Sequence, residues 1–325
     1  MEIGDWVSNR QMVDIYHKIE ELGLEKNVAE LETFGFTVLE PGRAAPVEWV
    51  ERLRDRMLEV AERRTGVKHD PGTGTHAAGA HPFGFKHMNF LYYLLLEDPV
   101  FQEALLNPYV LALHSYLLGF DCRLSSMTGL ITWPDEVGYG KGLGLHSDNH
   151  VHGPLMGGME THTANATWVL TDYTRENGAL AVVPRSHVEG RQPNSALNEG
   201  AKEAIPVEVP AGSLVFWNGN LWHGAYPRTN PGLRLALPIY CARAHMQPQE
   251  DYRANVTSET LANNPERLAV LLGLGTPMPW ASPDGPAYTD AMKILARAAA
   301  EEGVRLPVPH AAASDAPEVG KTSAI

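Results

Sequence analysis

Two cysteines in 325 residues, Cys122 and Cys241, are too few for a disulfide-stapled fold. Basic residues are also scarce: 26 Lys and Arg stand against 39 Asp and Glu, giving a formal net charge of −13 and a pI near 5.5. A surface of that sign repels phosphate backbones and anionic headgroups, and no Lys/Arg run offers a local exception. Neither nucleic acid nor a membrane surface is therefore expected as a partner. No apolar run reaches the roughly 20 residues that a membrane helix needs. The start, MEIGDWVSNRQMVD, lacks the basic-then-apolar order of a secretory signal. Free thiols and a cytoplasmic location are expected. Internal repeats are absent as well.

What remains is an ordinary globular composition, 44% hydrophobic and 20% charged. Apolar positions at Met12, Ile15, Tyr16, Ile19 and Leu22 predict a helical run over 11–31, and FGFTVLEPG then reads as a short strand closed by a Pro-Gly turn. APVEWVERLRDRMLEVAERR is a helix with Pro46 at its first position and Val50, Leu53, Met57 and Val60 on one face. Residues 65–90, rich in Gly, His and Pro, read as a long loop, and 99–118 returns to helix. From 121 the texture becomes short β-rich runs between turn residues: CRLSSMTGLITW, ATWVLTDY, ALAVVP, AIPVEVP, GSLVFWNG and LRLALPIYCAR. This is the rhythm of an antiparallel barrel or jelly roll. After 248 helices return in ETLANNPERLAVLLGLG and YTDAMKILARAAAEEG. The expected organisation is mainly β with helical additions. A single domain, catalytic on the site residues described below, is expected over residues 1–309, with its β core at about 121–245 and helical additions at 8–118 and 248–303. Residues 310–325 form a disordered tail.

The stretch LGLHSDNHVHG concentrates potential metal ligands at His146, Asp148, His150 and His152. Residues i and i+2 of an extended segment point the same way, so His146 and Asp148 can converge on one ion. The same alternation leaves His150 and His152 open. His223 ends the apolar run GSLVFWNGNLWH, 77 residues after His146. Two histidines and one carboxylate on one face of a metal are the arrangement of non-haem Fe(II) oxygenases, which leaves three coordination positions free. Arg234 follows His223 by eleven residues across the turn sequence YPRTNPG. If the flanking runs pair as a hairpin, both side chains share a face. A guanidinium inside a β barrel calls for an anion, and a bidentate carboxylate is its natural partner. 2-Oxoglutarate meets both demands, its oxo-acid end at iron and its far carboxylate at the arginine.

Four blocks in this order, HSDNH, WVLTDYTRENGALAVVPRSH, AGSLVFWNGNLWHGA and LRLALPIYCAR, resemble the phytanoyl-CoA dioxygenase (PhyH) family of Fe(II)/2-oxoglutarate oxygenases. They span residues 146–243, and FGFTVLEPG also fits. The resemblance implies a double-stranded β-helix (jelly-roll, cupin-like) core. It implies that His146, Asp148 and His223 bind Fe(II), to the exclusion of His150 and His152, and that Arg234 holds the 2-oxoglutarate C5 carboxylate. It places Trp168 beside the cosubstrate. O2 is the oxidant. Arg185 departs from the pattern, which usually has Gly before Ser-His. His187 is expected to be structural, and His76, His81, His87 and His162 receive no role. Asp148 disfavours halogenation, which needs a small residue there.

The implied reaction is hydroxylation, or a related oxidation, of an unactivated C–H, with release of succinate and CO2. Aromatic and Met-rich residues 81–93 and 149–164 suit a small apolar metabolite, and no basic cluster marks a site for CoA phosphates. Two other readings are carried: a zinc hydrolase in the same barrel, which needs no arginine at 234, and a non-catalytic ligand-binding barrel, which would usually have lost a site residue. Oligomeric state is left open.

Overall fold

The computed structural model describes residues 7–77, 88–134, 143–149, 160–276 and 289–306. The first helical run is broken in two: α1 (Val7–Glu21) and α2 (Glu25–Phe34) meet at Gly23, whose φ of +62° ends the first helix. β1 (Phe36–Leu39) follows as expected, and α3 (Val47–Thr65) starts one residue after Pro46, which caps it with extended backbone. The expected loop 65–90 contains a strand at its end, β2 (Met88–Leu91). The run 99–118 also divides, into α4 (Pro99–Leu105) and α5 (Pro108–Leu118). Each begins with a side-chain cap followed by proline, Asp98 accepting from the Val100 N–H and Asn107 from the Tyr109 N–H.

The β core then unfolds in chain order: β3 (Arg123–Met127), β4 (Gly129–Thr132), β5 (Thr163–Val169), β6 (Leu180–Val182), β7 (Ile205–Pro206), β8 (Leu214–Asn218), β9 (His223–Ala225) and β10 (Arg234–Ala242). Among the described residues, one antiparallel sheet runs β1-β8-β5-β10-β4-β2, with β3 also on β10. A second sheet runs β7-β6-β9. CRLSSMTGLITW is interrupted at Thr128, and both halves lie along β10. The buried Glu250 carboxylate holds that interruption, accepting from the Met127 N–H, Thr128 Oγ1, the Tyr93 N–H and the Tyr252 hydroxyl.

Alternation along the large sheet sorts its side chains into two cores. Ala164, Ala166 and Trp168 of β5, Leu214 and Phe216 of β8, and Leu235, Leu237 and Ile239 of β10 face α3, α4 and α5. Val169, Val215, Trp217 and Ala236 face the small sheet and pack with Val182 and Leu221. The helices after the core, α6 (Tyr252–Asn255), α7 (Ser258–Ala262), α8 (Glu266–Leu271) and α9 (Thr289–Glu302), return to the N-terminal ones. Ile15 of α1 packs with Val270 of α8 and Ala298 of α9, and Arg305 pairs with Asp14 at 2.7 Å. Cys122 and Cys241 are free and buried, as expected. No helix of the described residues is long and apolar enough to cross a membrane. Residues 307–325, with the proposed tail, lie outside the described part.

Two predictions follow from this packing. His114 of α5 is buried against Phe216, donating Nδ1–H to the Val110 carbonyl, and burial pushes its pKa down to about 4. The folded state resists protonation while the unfolded chain takes a proton near 6.5. This contribution is therefore full above pH 6.5 and is lost as pH falls towards 4, by roughly 3 kcal/mol. Urea midpoints at pH 7 and pH 4.5 should fall further in the wild type than in His114→Gln. Arg185, after β6, sits at φ +71°, a backbone that favours glycine. Arg185→Gly should therefore raise the melting temperature, by about 1 kcal/mol of stability.

Candidate metal centre and its cavity

The small sheet gains a further segment from residues 143–146. His146 and His223 exchange both backbone hydrogen bonds, each 2.9 Å, and the Ala225 N–H donates to the Leu143 carbonyl at 3.0 Å. A Cβ on Gly224 would meet the Leu143 oxygen at 2.1 Å, so the close approach needs glycine there. The bridge sets the two imidazoles 4.4 Å apart, centroid to centroid. After His146 the chain turns, and the Asp148 N–H donates to the Gly219 carbonyl at 2.9 Å. His146 Nε2 lies 3.7 Å from Asp148 Oδ1, and His223 Nε2 lies 3.6 Å from Asp148 Oδ2. Donor atoms of all three residues lie within 4.8 Å of one another.

Each imidazole donates its Nδ1–H to a nearby carbonyl, His146 to Gly144 at 2.8 Å and His223 to Leu221 at 2.9 Å. That tautomer places the lone pair of each ring on Nε2, the atom that faces the Asp148 carboxylate. Burial, and then the neighbouring His223, hold the His146 pKa below its ordinary value, so it is a neutral donor at pH 7. Asp148 Oδ2 accepts from Asn165 Nδ2 at 2.6 Å. The next residue is clamped too: Asn149 is hydrogen-bonded to Asn220 and accepts from Thr163 Oγ1 at 2.9 Å.

The triad opens on a cavity of about 570 Å³ between the sheets, and Arg234 lines the same cavity. The expected hairpin does not form. β9 pairs with β6, β10 pairs with β3, β4 and β5, and His223 and Arg234 project from opposite sheets into one space. Arg234 is 4% exposed. It donates to the Gly178 carbonyl and to Thr132 Oγ1 at 3.3 Å, while its Nε–H has no partner. Among the described residues no carboxylate pairs with it. Sequence reasoning missed its neighbour Arg228, which sits inside YPRTNPG and reads as turn. Arg228 is 7% exposed and donates to the carbonyls of Gly232 at 3.0 Å, Asn177 at 3.2 Å and Pro231. Burial and the charge of Arg234 lower its pKa.

Trp168 is the correction. Its ring lies in the helical layer, 5.0 Å from Trp49, with Nε1–H directed to the Ala104 carbonyl at 3.4 Å, and it does not line the cavity. One residue of strand alternation explains the displacement: Thr167 faces the cavity and Trp168 faces away. Thr167 Oγ1 and Trp217 Nε1 are buried cavity-lining groups without hydrogen-bond partners. Asn165 and Trp217, also missed, could have been found by extending the same alternation along β5 and β8. His187 is buried with Nε2 donating to the Glu32 carbonyl at 3.1 Å, a structural placement. His76 stacks on Trp133, and His162 lies beside His245 at 3.3 Å. His81, His87, His150 and His152 lie outside the described residues, as do most of the expected lid segments.

A jelly roll with two histidines and a carboxylate on one wall of its cavity defines the non-haem iron class. The phytanoyl-CoA dioxygenase (PhyH) family matches residues 31–236, and the chain belongs to that family of Fe(II)/2-oxoglutarate-dependent dioxygenases. Dioxygenase af480 of Aspergillus fumigatus is 28% identical over 185 residues, covering 57% of this chain and 58% of that protein, less than two thirds of its length. Two solved structures share the fold. One is HygX from Streptomyces hygroscopicus with nickel and 2-oxoglutarate bound, 20% identical with a TM-score of 0.52, covering 69% of this chain and 89% of that one. The other is the non-haem α-ketoglutarate-dependent carbocyclase SnoK from nogalamycin biosynthesis, 21% identical with a TM-score of 0.54, covering 72% and 90%.

The two faces of β5 make separable predictions. Trp168→Leu should lower stability by about 2–4 kcal/mol through the void it leaves under Trp49. Mn(II) affinity at the triad should be unchanged, as read by thermal melts with and without the metal.

Proposed function

We propose that the protein holds Fe(II) through His146, Asp148 and His223, anchors 2-oxoglutarate through Arg234, and oxidises a C–H bond of a small, largely apolar, uncharged molecule, releasing succinate and CO2. The observation that carries the reading is Arg234. A guanidinium 4% exposed, with an unpartnered Nε–H and no described carboxylate beside it, is costly unless an anion completes it. It shares a cavity with a neutral-nitrogen and carboxylate donor set suited to a divalent ion. Bound iron and oxo acid together supply the activation of O2 and the oxidising power that a protein side chain lacks.

The chain's own residues orient and enclose. The carbonyls of Gly144 and Leu221 fix the imidazole tautomers. Gly178 and Thr132 aim the guanidinium, and Arg228 stiffens the turn that precedes it. Val215, Ala236 and Leu180 give the cavity apolar walls, which limits water near the reacting atoms. Its remaining wall carries Phe90, Tyr92, Leu130, Pro238 and Tyr240 with a fringe of Ser126 and Gln249. Among the described lining residues, Arg234 is the sole permanent cation, which favours an uncharged substrate over one bearing phosphates. HygX, which shares the fold, is known with nickel, 2-oxoglutarate and hygromycin B bound, in keeping with a small-molecule substrate. A zinc hydrolase leaves the buried Arg234 without a purpose, and no observation favours it.

Anaerobic titration of the apoprotein with Fe(II) and then 2-oxoglutarate should give a visible metal-to-ligand charge-transfer band that needs both. Arg234→Ala should weaken 2-oxoglutarate roughly a hundredfold, the scale of removing one partner of a buried charge pair. A folded wild-type protein that gives no band would sink the reading.

A further inference from the structure

The main chain on either side of the Asp148 carboxylate is fixed. The Asp148 N–H donates to the Gly219 carbonyl and the Asn149 N–H to Ser147 Oγ, while the Asn149 side chain is bonded to Asn220 and Thr163. With the main chain held, the carboxylate keeps the rotations of its own side chain. One oxygen faces His146 and the other His223 at nearly equal distances, 3.7 and 3.6 Å, so the two histidines do not select between them. A carboxylate free to turn between two such donors can chelate a cation with both oxygens. That would occupy a position which an oxo acid, itself a chelator, requires.

Asn165 breaks this symmetry. It is an inward residue of the central strand β5, opposite Trp217 of β8 and Tyr240 of β10, and is 5% exposed. Its side chain lines the cavity, and its Nδ2–H donates to Asp148 Oδ2 at 2.6 Å, a short charge-assisted bond. A carboxylate acceptor fixes which end of the amide points at it, because an oxygen there would repel. We infer that Asn165 is a positioning residue that restricts Asp148 to one metal-bound oxygen, keeping open the coordination position that the 2-oxo acid needs. The inference rests on the proposed iron and 2-oxoglutarate site.

The consequence is a split between two affinities. Removing the amide donor should spare metal binding and weaken the oxo acid. Asn165→Leu keeps the size and deletes the donor. Asn165→Asp keeps the shape, deletes the donor and adds an oxygen ligand. Mn(II) binding, and then 2-oxoglutarate binding to the Mn(II)-loaded protein, would be measured by calorimetry for the wild type and both variants. The Fe(II)·2-oxoglutarate charge-transfer band would be recorded alongside. The expected result is Mn(II) affinity held within about threefold in Asn165→Leu and tightened in Asn165→Asp. Oxo-acid affinity should fall about tenfold or more in both, with the loss appearing there rather than in Mn(II) affinity. Unchanged oxo-acid affinity in the metal-loaded variants overturns the inference. So does a parallel loss of Mn(II) affinity, oxo-acid affinity and melting temperature, because that pattern marks simple packing. If Asn165→Leu does not fold, Asn165→Asp alone decides by the same split. A wild type that shows no band refutes the iron and 2-oxoglutarate reading itself. A wild type with the band, beside variants that titrate like it, refutes only the role of Asn165.

Discussion

The paired backbone hydrogen bonds between His146 and His223 are the constraint on which the site depends. They join segments 77 residues apart and fix the spacing of two imidazoles before any cation binds. Side-chain rotamers alone would leave that spacing loose. Gly224 permits the approach, because a Cβ there would collide with the Leu143 carbonyl. The carbonyls of Gly144 and Leu221 then decide which nitrogen of each ring is free. The two imidazoles are thus preorganised by main chain, which lowers the side-chain entropy lost when a metal arrives.

Opposite this wall lies an electrostatic deficit. Arg234 and Arg228 are both buried, and among the described residues their hydrogen bonds go to carbonyls and the Thr132 hydroxyl rather than to carboxylates. Carbonyl dipoles satisfy donors but do not neutralise charge, so this end of the cavity retains a demand for an anion. The metal end and the arginine end belong to different sheets. The gap between the sheets therefore sets the length of the molecule that can bridge them, and a small dicarboxylic oxo acid has charges at both its ends. Two contacts so placed orient a flexible chelator better than either could alone.

Much of this was legible in the chain. His146, Asp148, His223 and Arg234 stand at spacings that fit a facial metal site and an anion anchor, and the structure brings all four to one cavity. The β runs between 121 and 245 were readable from turn residues and β-rich composition. The differences have separate physical causes. Trp168 was placed by motif rather than by strand parity, and a single residue of offset carried it to the helical layer. A hairpin between His223 and Arg234 assumes that neighbours in sequence pair, whereas β9 belongs to the small sheet and β10 to the large one. Helical periodicity runs through 11–31 and 99–118, but Gly23 and Asn107-Pro108 carry the local chemistry that breaks each run in two.

By itself the sequence determined the chemistry available: which side chains could ligate, which could meet an anion, and which stretches had strand or helix character. Those properties are local, set by residue type and short-range periodicity. Only the tertiary structure decided which face of β5 looks inward, that Asn165 rather than Trp168 reaches the site, and that Arg228 is buried. Such facts depend on register between strands distant in the chain. Register is settled by the summed packing of both sheet faces, a quantity that no short stretch of sequence contains.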